Sequence, residues 1–173
     1  MSETRLGEPL TGQGECSLPP ALEAMGERWS FMILRAAFNG VHHFEEFQTG
    51  LGIARNILSN RLQRLVGHGI LERHVMECDR RKVVYRLTEK GADLLPTMVA
   101  LRQWGERWAA MAPCTPVLVD SRDLQPVRAV ALQAHDGRPL SRPDVCWLEL
   151  DDIRPLGSPV DDPGRLAADR VGS

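Results

Sequence analysis

Between Ile53 and Gly67 the chain carries Arg55, Asn56, Ser59, Asn60, Arg61, Gln63 and Arg64, a set of guanidinium forks, amides and one hydroxyl. Presented on one helix face, such groups can read base edges. Arg pairs bidentately with guanine, Asn or Gln with adenine and Ser with either, and a major groove about 12 Å wide admits a single helix. Further on, Arg80, Arg81 and Lys82 follow Asp79 as a basic cluster that suits phosphates or an adjacent minor groove, with affinity that falls steeply as salt rises. His42 and His43 open a short helical run as phosphate contacts, a pH-sensitive pair or a solvated helix start, and His43 is counted with the DNA-facing set. Amides that open the segments at Phe44 and Ile53 can hold a further phosphate. Taken singly, each feature also matches an ordinary solvated surface, because an amphipathic helix often carries several arginines on its wet face. Only their order along the chain, on elements of the right length, separates the two readings.

Those elements are set by the apolar spacing. Pro19 and Pro20 suit a first helical turn, Ala21, Leu22 and Met25 share one side, and Gly26 stops a short helix. Ser30 is a candidate cap for a second helix, where Phe31, Ile33, Leu34, Ala37 and Phe38 form a broad buried surface ending at Asn39-Gly40. Phe44 and Phe47 turn inward from a two-turn helix, and Gly50 and Gly52 punctuate the chain at its end. Ile57, Leu58, Leu62, Leu65 and Val66 then form the apolar stripe of the polar-faced helix, which ends at Gly67-His-Gly69. Two β-prone runs, Ile70 to Cys78 and Lys82 to Leu87, read as a hairpin whose basic tip is Asp79-Arg80-Arg81. Thr88 caps a long helix in which Leu94, Leu95, Met98, Leu101, Trp104, Gly105 and Trp108 recur at three- and four-residue spacing towards Pro113. Beyond it, 117–119, 127–132 and 145–150 read as short strands parted by turns such as His135-Asp-Gly137.

The resulting division is a flexible arm over 1–15, a main domain over 16–112, a β-rich extension over 113–154 and a disordered tail over 155–173. Net charge over the 173 residues is -2, but the balance is uneven. Glu27 to Ala92 holds 11 Lys/Arg against 7 Asp/Glu, a net of +4, whereas Met111 to Ser173 holds 7 Arg against 10 Asp/Glu, a net of -3. A basic middle with an acidic end points to an anionic partner for the middle. No apolar run approaches the ~20 residues of a membrane span, and no basic-then-apolar leader opens the chain, so a cytoplasmic protein without membrane contact is expected. Cys16, Cys78, Cys114 and Cys146 form no CxxC pair, which argues against a disulfide framework and a structural zinc site. No convergent nucleophile, base and positioning group is present, and no glycine-rich phosphate loop; neither enzyme activity, nor a metal, nor a cofactor is expected.

The order of helix, helix, short helix, glycine-punctuated turn, polar-faced helix and basic hairpin is that of the winged helix-turn-helix. Seven motifs in that order make the likeness specific: Cys16-Ser-Leu-Pro-Pro-Ala-Leu, Met25-Gly-Glu-Arg-Trp29, Ile33-Leu-Arg35, Phe44-Glu-Glu-Phe47, Ile57-Leu-Ser-Asn-Arg-Leu62, Gly69-Ile-Leu-Glu-Arg73 and Tyr85-Arg-Leu-Thr-Glu-Lys-Gly91. Over Cys16 to Trp108 the chain resembles the HxlR family of bacterial regulators, relatives of the MarR group. The resemblance implies a mainly α (α+β) winged helix-turn-helix with a long C-terminal dimerisation helix, here followed by a small β-rich appendage, binding double-stranded DNA as a homodimer.

In that family the first and last helices build the dimer, which corresponds here to Leu22, Leu95, Met98, Leu101, Trp104 and Trp108. Cys16 stands where several members carry a cysteine that senses electrophiles or oxidants, and helix-start amides favour the thiolate, the reactive form. Thiol modification or a small-molecule effector would then release a repressor from an inverted-repeat operator. Longer relatives carry an extension with paired cysteines, which Leu132 to Leu140 lacks, so no metal knuckle is expected there. The competing expectation is a protein interaction module whose basic face is structural and whose Trp-bearing helix and acidic end bind another protein.

Overall fold

The structure, a computed structural model, describes residues 16–76, 79–109, 115–147, 153, 155 and 156. The arm expected over 1–15, Cys78, Cys114 and all but two residues of the tail expected over 155–173 lie outside the described residues. These form two compact units, one ending at Ala131 and one beginning at Leu132.

The first unit opens with α1 (Leu18–Met25) and α2 (Arg28–Phe38). Two prolines occupy the first turn of α1, and Gly26 closes it through an N–H bond to the Leu22 carbonyl of 2.7 Å. The sequence expectation of a cap at Ser30 is corrected: the cap position is Glu27, three residues earlier, and Ser30 is fully buried inside the helix. Ser30 lies on the same helical face as Ile33, Leu34 and Ala37, and burial of that face outweighs the capping preference of serine. Its Oγ has no hydrogen-bond partner among the described residues.

Next come α3 (Phe44–Leu51) and α4 (Arg55–Gly67), the helix pair that frames the polar set. Glu46 reaches back to accept the N–H groups of His42 and His43 at 3.3 and 3.1 Å, closing the start of α3. Those two backbone bonds hold the Glu46 carboxyl below its ordinary pKa. Helix α4 buries Leu58, Leu62 and Leu65 against Ile33, Leu34 and Phe47 of the core. Ile57, expected on that stripe, is instead 37% exposed. At about 100° per residue it falls a quarter-turn away from Leu58, outside the arc that Leu58, Leu62 and Leu65 define.

Strands β1 (Leu71–Met76) and β2 (Asp79–Leu87) form an antiparallel wing. Its register runs from Leu71 opposite Leu87 to Val75 opposite Val83, then jumps to Met76 opposite Asp79. Arg80, Arg81 and Lys82 are the residues that the jump leaves over, and Asp79, Arg80 and Arg81, expected in the connecting turn, belong to the irregular start of β2. Backbone of the α2–α3 link adds a short third edge: His43 bridges Val84, and Tyr85 N–H donates to the His42 carbonyl at 2.8 Å.

Thr88 caps α5 (Glu89–Ala92), its hydroxyl accepting from Gly91 N–H at 3.0 Å. The single long helix expected after Thr88 is two helices, because Pro96 has no N–H to bond back to residue 92 and instead sits in the first turn of α6 (Leu95–Trp108). After α6, Gln103 holds the following segment as a strand would: its side-chain carbonyl accepts from Val130 N–H at 2.8 Å and its amide donates to the Arg128 carbonyl at 3.1 Å. Arg102 donates to the Pro116 carbonyl. The strands expected at 117–119 and 127–132 reduce, up to Ala131, to a bridge between Val119 and Pro126 and a Val127 bond to Leu118 of 3.1 Å. Pro116 and Pro126 lack ladder donors, and the Asp120 and Asp123 carboxylates take the N–H groups of Arg122 and Gln125 at 2.9 and 3.0 Å.

Gln103→Ala should therefore loosen 115–131 without unfolding the unit. Amide exchange at Val130 should accelerate while global stability changes by roughly 1 kcal/mol. Unchanged exchange there would show that other contacts hold the segment.

In the second unit, β3 (Leu132–Gln133) pairs with β4 (Pro139–Leu140) across the turn expected at His135-Asp-Gly137, and a one-turn helix, Arg142–Asp144, comes after them. Gly137 takes φ +82 and donates to the Ala134 carbonyl at 2.9 Å. Val145 to Trp147 are not in a strand, and 148–150 lie outside the described residues.

Candidate nucleic-acid interface

The α3–α4 turn is what places the polar face. Gly52 adopts the left-handed conformation at φ +60, which a side chain would strain, and Ile53 is buried directly after it. The chain then enters α4 from the extended Ala54. Arg55, Asn56, Ser59, Asn60 and Gln63 all emerge exposed, with Asn56, Asn60 and Gln63 away from the Leu58, Leu62 and Leu65 stripe and Arg55 and Ser59 beside it. The fold thus brings five of the seven polar residues read from the sequence onto solvent.

The other two point elsewhere. Arg61 pairs with the Glu27 carboxylate and its side chain is only 20% exposed. Arg64 donates to the Glu23 carbonyl of α1. Their Nε atoms are buried without partners among the described residues. Both arginines act here as struts between α4 and the α1–α2 corner. Arg55 is exposed but leans on α3, its guanidinium 4.8 Å from the centre of the Phe44 ring.

On the wing, Lys82 is exposed, while Arg80 and Arg81 are placed by backbone alone at the start of β2. The exposed Arg73 and Arg86, on β1 and β2, add cations that a search for clusters overlooks because each stands alone in the sequence. His43 is half-buried, with its Nδ1 3.3 Å from the Val83 carbonyl, and His42 Nδ1 lies at the same distance from that of Tyr85. The pair therefore joins α3 to the wing. Cross-strand pairing of this kind leaves no local sequence signal.

The residues expected at a dimer interface are exposed on the single chain. Trp104 and Trp108 are 61% and 66% exposed, Leu22, Leu95 and Leu101 are also exposed, and α6 has no buried residue. Met98 is the exception, half-buried against the core. Leu101, Trp104 and Trp108 repeat at three- and four-residue spacing and so share one side of α6. Cys16 is partly exposed just ahead of Ser17, the residue that precedes α1. Pro19 and Pro20 have no N–H, so the start of α1 offers fewer donors to an anion than the sequence expectation assumed.

Among the described residues no group of three or more His, Cys, Asp or Glu could hold a metal ion. No helix among them is long and apolar enough to cross a membrane.

Comparison with known proteins agrees with this geometry. Residues 24–113 match the family model described as HxlR-like helix-turn-helix. The HTH-type transcriptional regulator Rv3095 of Mycobacterium tuberculosis is 43% identical over 105 residues, which cover 61% of this chain and 66%, just under two thirds, of that relative. The HTH-type transcriptional regulator YodB of Bacillus subtilis is 32% identical over 89 residues, 51% of this chain and 80% of that one. Among solved structures, PA1607 superposes with a TM-score of 0.73 at 40% identity, covering 79% of this chain and 96% of its own. That coverage takes in residues outside the family match. PA1374 from Pseudomonas aeruginosa superposes with a TM-score of 0.53 at 32% identity, over 86% of this chain and 97% of its own. With the family model spanning more than half of its length, the chain belongs to the HxlR-like helix-turn-helix family.

Proposed function

We propose that this protein regulates transcription by binding double-stranded DNA as a homodimer, with α4 in the major groove and the wing on the phosphate backbone. The observation that carries the reading is the division of α4 into a fully buried leucine stripe and an exposed face of amides, a hydroxyl and Arg55, set just beyond the Gly52 turn. A helix so placed offers donors and acceptors where base edges present theirs, and the exposed wing cations supply the salt-sensitive part of the affinity. The unpartnered apolar side of α6, together with Leu22, supports association of two copies, and a two-fold dimer reads an inverted repeat. Repression is the simplest outcome, since a dimer seated on a promoter blocks polymerase with no further contact. Its place of action is the cytoplasm, with the DNA, and it is not an enzyme.

Release by a small ligand or by modification of Cys16 completes the proposal. Conjugate addition of the Cys16 thiolate to a quinone forms a C–S bond while the ring C=C electrons pass to the carbonyl oxygen, which takes up a proton to give the hydroquinone thioether; a group of that size would disturb the start of α1. Helix α1 is strutted to α4 through Arg64 and the Glu23 carbonyl, and the α1–α2 corner through Glu27 and Arg61, so a shift there reaches the reading helix.

The test is binding to the DNA upstream of the protein's own reading frame at several salt concentrations. The proteins are wild type, Cys16→Ser, and a variant with Arg55, Asn56, Asn60, Arg80 and Arg81 changed to Ala. Wild type should lose about ten-fold or more in affinity between 50 and 200 mM salt, and the multiple variant should bind weakly with a shallower salt slope. A quinone should abolish binding in wild type and not in Cys16→Ser; loss in both, or in neither, removes Cys16 as the sensor and leaves the small ligand. Specific, salt-dependent binding that survives the multiple substitution would overturn the proposed interface. Absence of any specific DNA binding would favour the interaction-module alternative, in which Trp104 and Trp108 meet another protein.

A further inference from the structure

The arginines of α4 are occupied within the fold, and this changes which bases the helix can read. We infer that the base-reading surface selects adenine and thymine, through Asn56, Asn60, Gln63 and Ile57, and not guanine. The inference rests on the DNA-binding reading above and deepens it.

A guanine presents two acceptors in the major groove, N7 and O6, and the group that matches both is the guanidinium fork of arginine. Three arginines lie on α4. Arg61 is held by the Glu27 carboxylate with its side chain mostly covered, and Arg64 is turned to the Glu23 carbonyl. Bringing either one into a groove would strip a carboxylate or a carbonyl of its partner and open the packing between α1, α2 and α4. Arg55 remains exposed, but it leans over Phe44 at the start of α3. In a helix-turn-helix that helix lies across the phosphate backbone, so Arg55, leaning on it, is placed for a phosphate.

What the exposed face keeps is amide. Adenine presents an acceptor at N7 beside a donor at N6, and one side-chain amide supplies the complementary donor and acceptor. Opposite guanine the same pose sets the amide carbonyl oxygen against the O6 acceptor, and an amide turned to donate its NH2 there leaves its carbonyl unmatched, so the paired fit is lost. At about 100° per residue, Asn56, Asn60 and Gln63 fall within one narrow arc of α4, with Ser59 at its edge. On the other side Ile57 falls about 60° beyond Asn60, between the positions of Arg64 and Arg61. Ile57 is exposed, and its methyl groups match the C5 methyl that distinguishes thymine in the groove.

Selection of bound duplexes by the whole 173-residue chain from a library with a randomised core tests this. Adenine and thymine should dominate the enriched positions. Asn56→Ala, Asn60→Ala and Gln63→Ala should each flatten one position and weaken the selected duplex by roughly five- to 150-fold, with binding to an unrelated duplex unchanged. All three side chains are exposed, so thermal unfolding of the variants should match wild type. Replacing the thymines of the selected site by deoxyuridine removes only the C5 methyl; it should weaken wild type and leave Ile57→Ala unaffected. Guanine at the enriched positions, or adenine and thymine enrichment indifferent to all four substitutions, would overturn the inference while the DNA-binding reading stands. No enriched position at all would overturn both.

Discussion

Replacing Phe47 by Ala should cost about 3–5 kcal/mol of stability, read as a lower denaturant midpoint. Phe47 is the largest side chain that is completely buried among the described residues. It projects from the middle of α3 into the cluster of Ile33, Leu34, Leu58, Leu62 and Leu65, and its ring meets Tyr85 of β2 edge-on at 6.5 Å with the planes at 79°. Three elements of the proposed interface therefore share this one ring: the supporting helix, the reading helix and the wing. Deleting it leaves a cavity that α3 cannot close by moving, because Gly52 and the buried Ile53 fix its far end against the core. Domains of this size are stable by only about 5–15 kcal/mol, so the loss is a large share of the total. Phe47→Leu keeps most of the volume and should cost less than half as much. A loss below about 1 kcal/mol for the alanine variant would mean that the core around α3 collapses freely, contrary to its dense burial.

The second large effect comes from adding a single carbon. Gly91 lies on α5 with ordinary helical geometry, so its requirement is space and not conformation. A Cβ there would stand 2.2 Å from the Ile70 carbonyl oxygen and 3.1 Å from Leu87 Cδ2. The carbonyl cannot retreat cheaply, since it accepts from both the Thr88 N–H and the Thr88 hydroxyl at 3.2 Å, and Ile70 itself is buried. Gly91→Ala should therefore cost about 3 kcal/mol, the upper part of the range for overpacking, with the Thr88 bonds disturbed as well. Gly50→Ala is the internal comparison: it is helical, with no atom within 4 Å of its Cβ position, and the change should be neutral or slightly stabilising. Equal behaviour of the two variants would show that α5 can slide away from the wing.

The consequence for function lies in what Gly91 joins. Strand β2 ends at Leu87 and α6 begins at Leu95, so the α5 turn is the covalent and packed link between the wing and the helix with the exposed tryptophans. A clash at Gly91 should disturb the placement of the wing relative to α6 before it unfolds either. The loss of DNA affinity is then expected to exceed what the lost stability alone explains, a comparison available from binding measured well below the melting temperature.

The helix order, the wing and the polar residues of α4 could all be read from the sequence. Apolar spacing in α2 and α4, the aromatic pair Phe44 and Phe47, and the glycines after α3 and α4 are local signals, each set by neighbours within about one turn. Errors fell where a local preference lost to burial. Serine favours a cap, but Ser30 shares the inward face of α2 and was drawn into the core with Ile33, Leu34 and Ala37. Ile57 reads as one more stripe residue, yet the arc that meets the core is narrower than the apolar run, and it was left at the surface. The strands expected after α6 fail for a related reason: proline and aspartate remove or divert the backbone donors that a ladder needs.

Composition and spacing by themselves determined that this chain would fold as a helical unit with a basic hairpin and would carry groups able to read DNA. Which of those groups stand free was decided only by tertiary packing. Arg55, Arg61 and Arg64 are the same residue type on one helix, and nothing within α4 distinguishes their tasks. The distinction comes from Phe44, Glu27 and the Glu23 carbonyl, groups up to 41 positions away in the chain, which meet the guanidinium groups only once α1, α2 and α3 have packed around the leucine stripe. A charged side chain's role is set by its partners, and those partners are set by long-range contacts that no local pattern records.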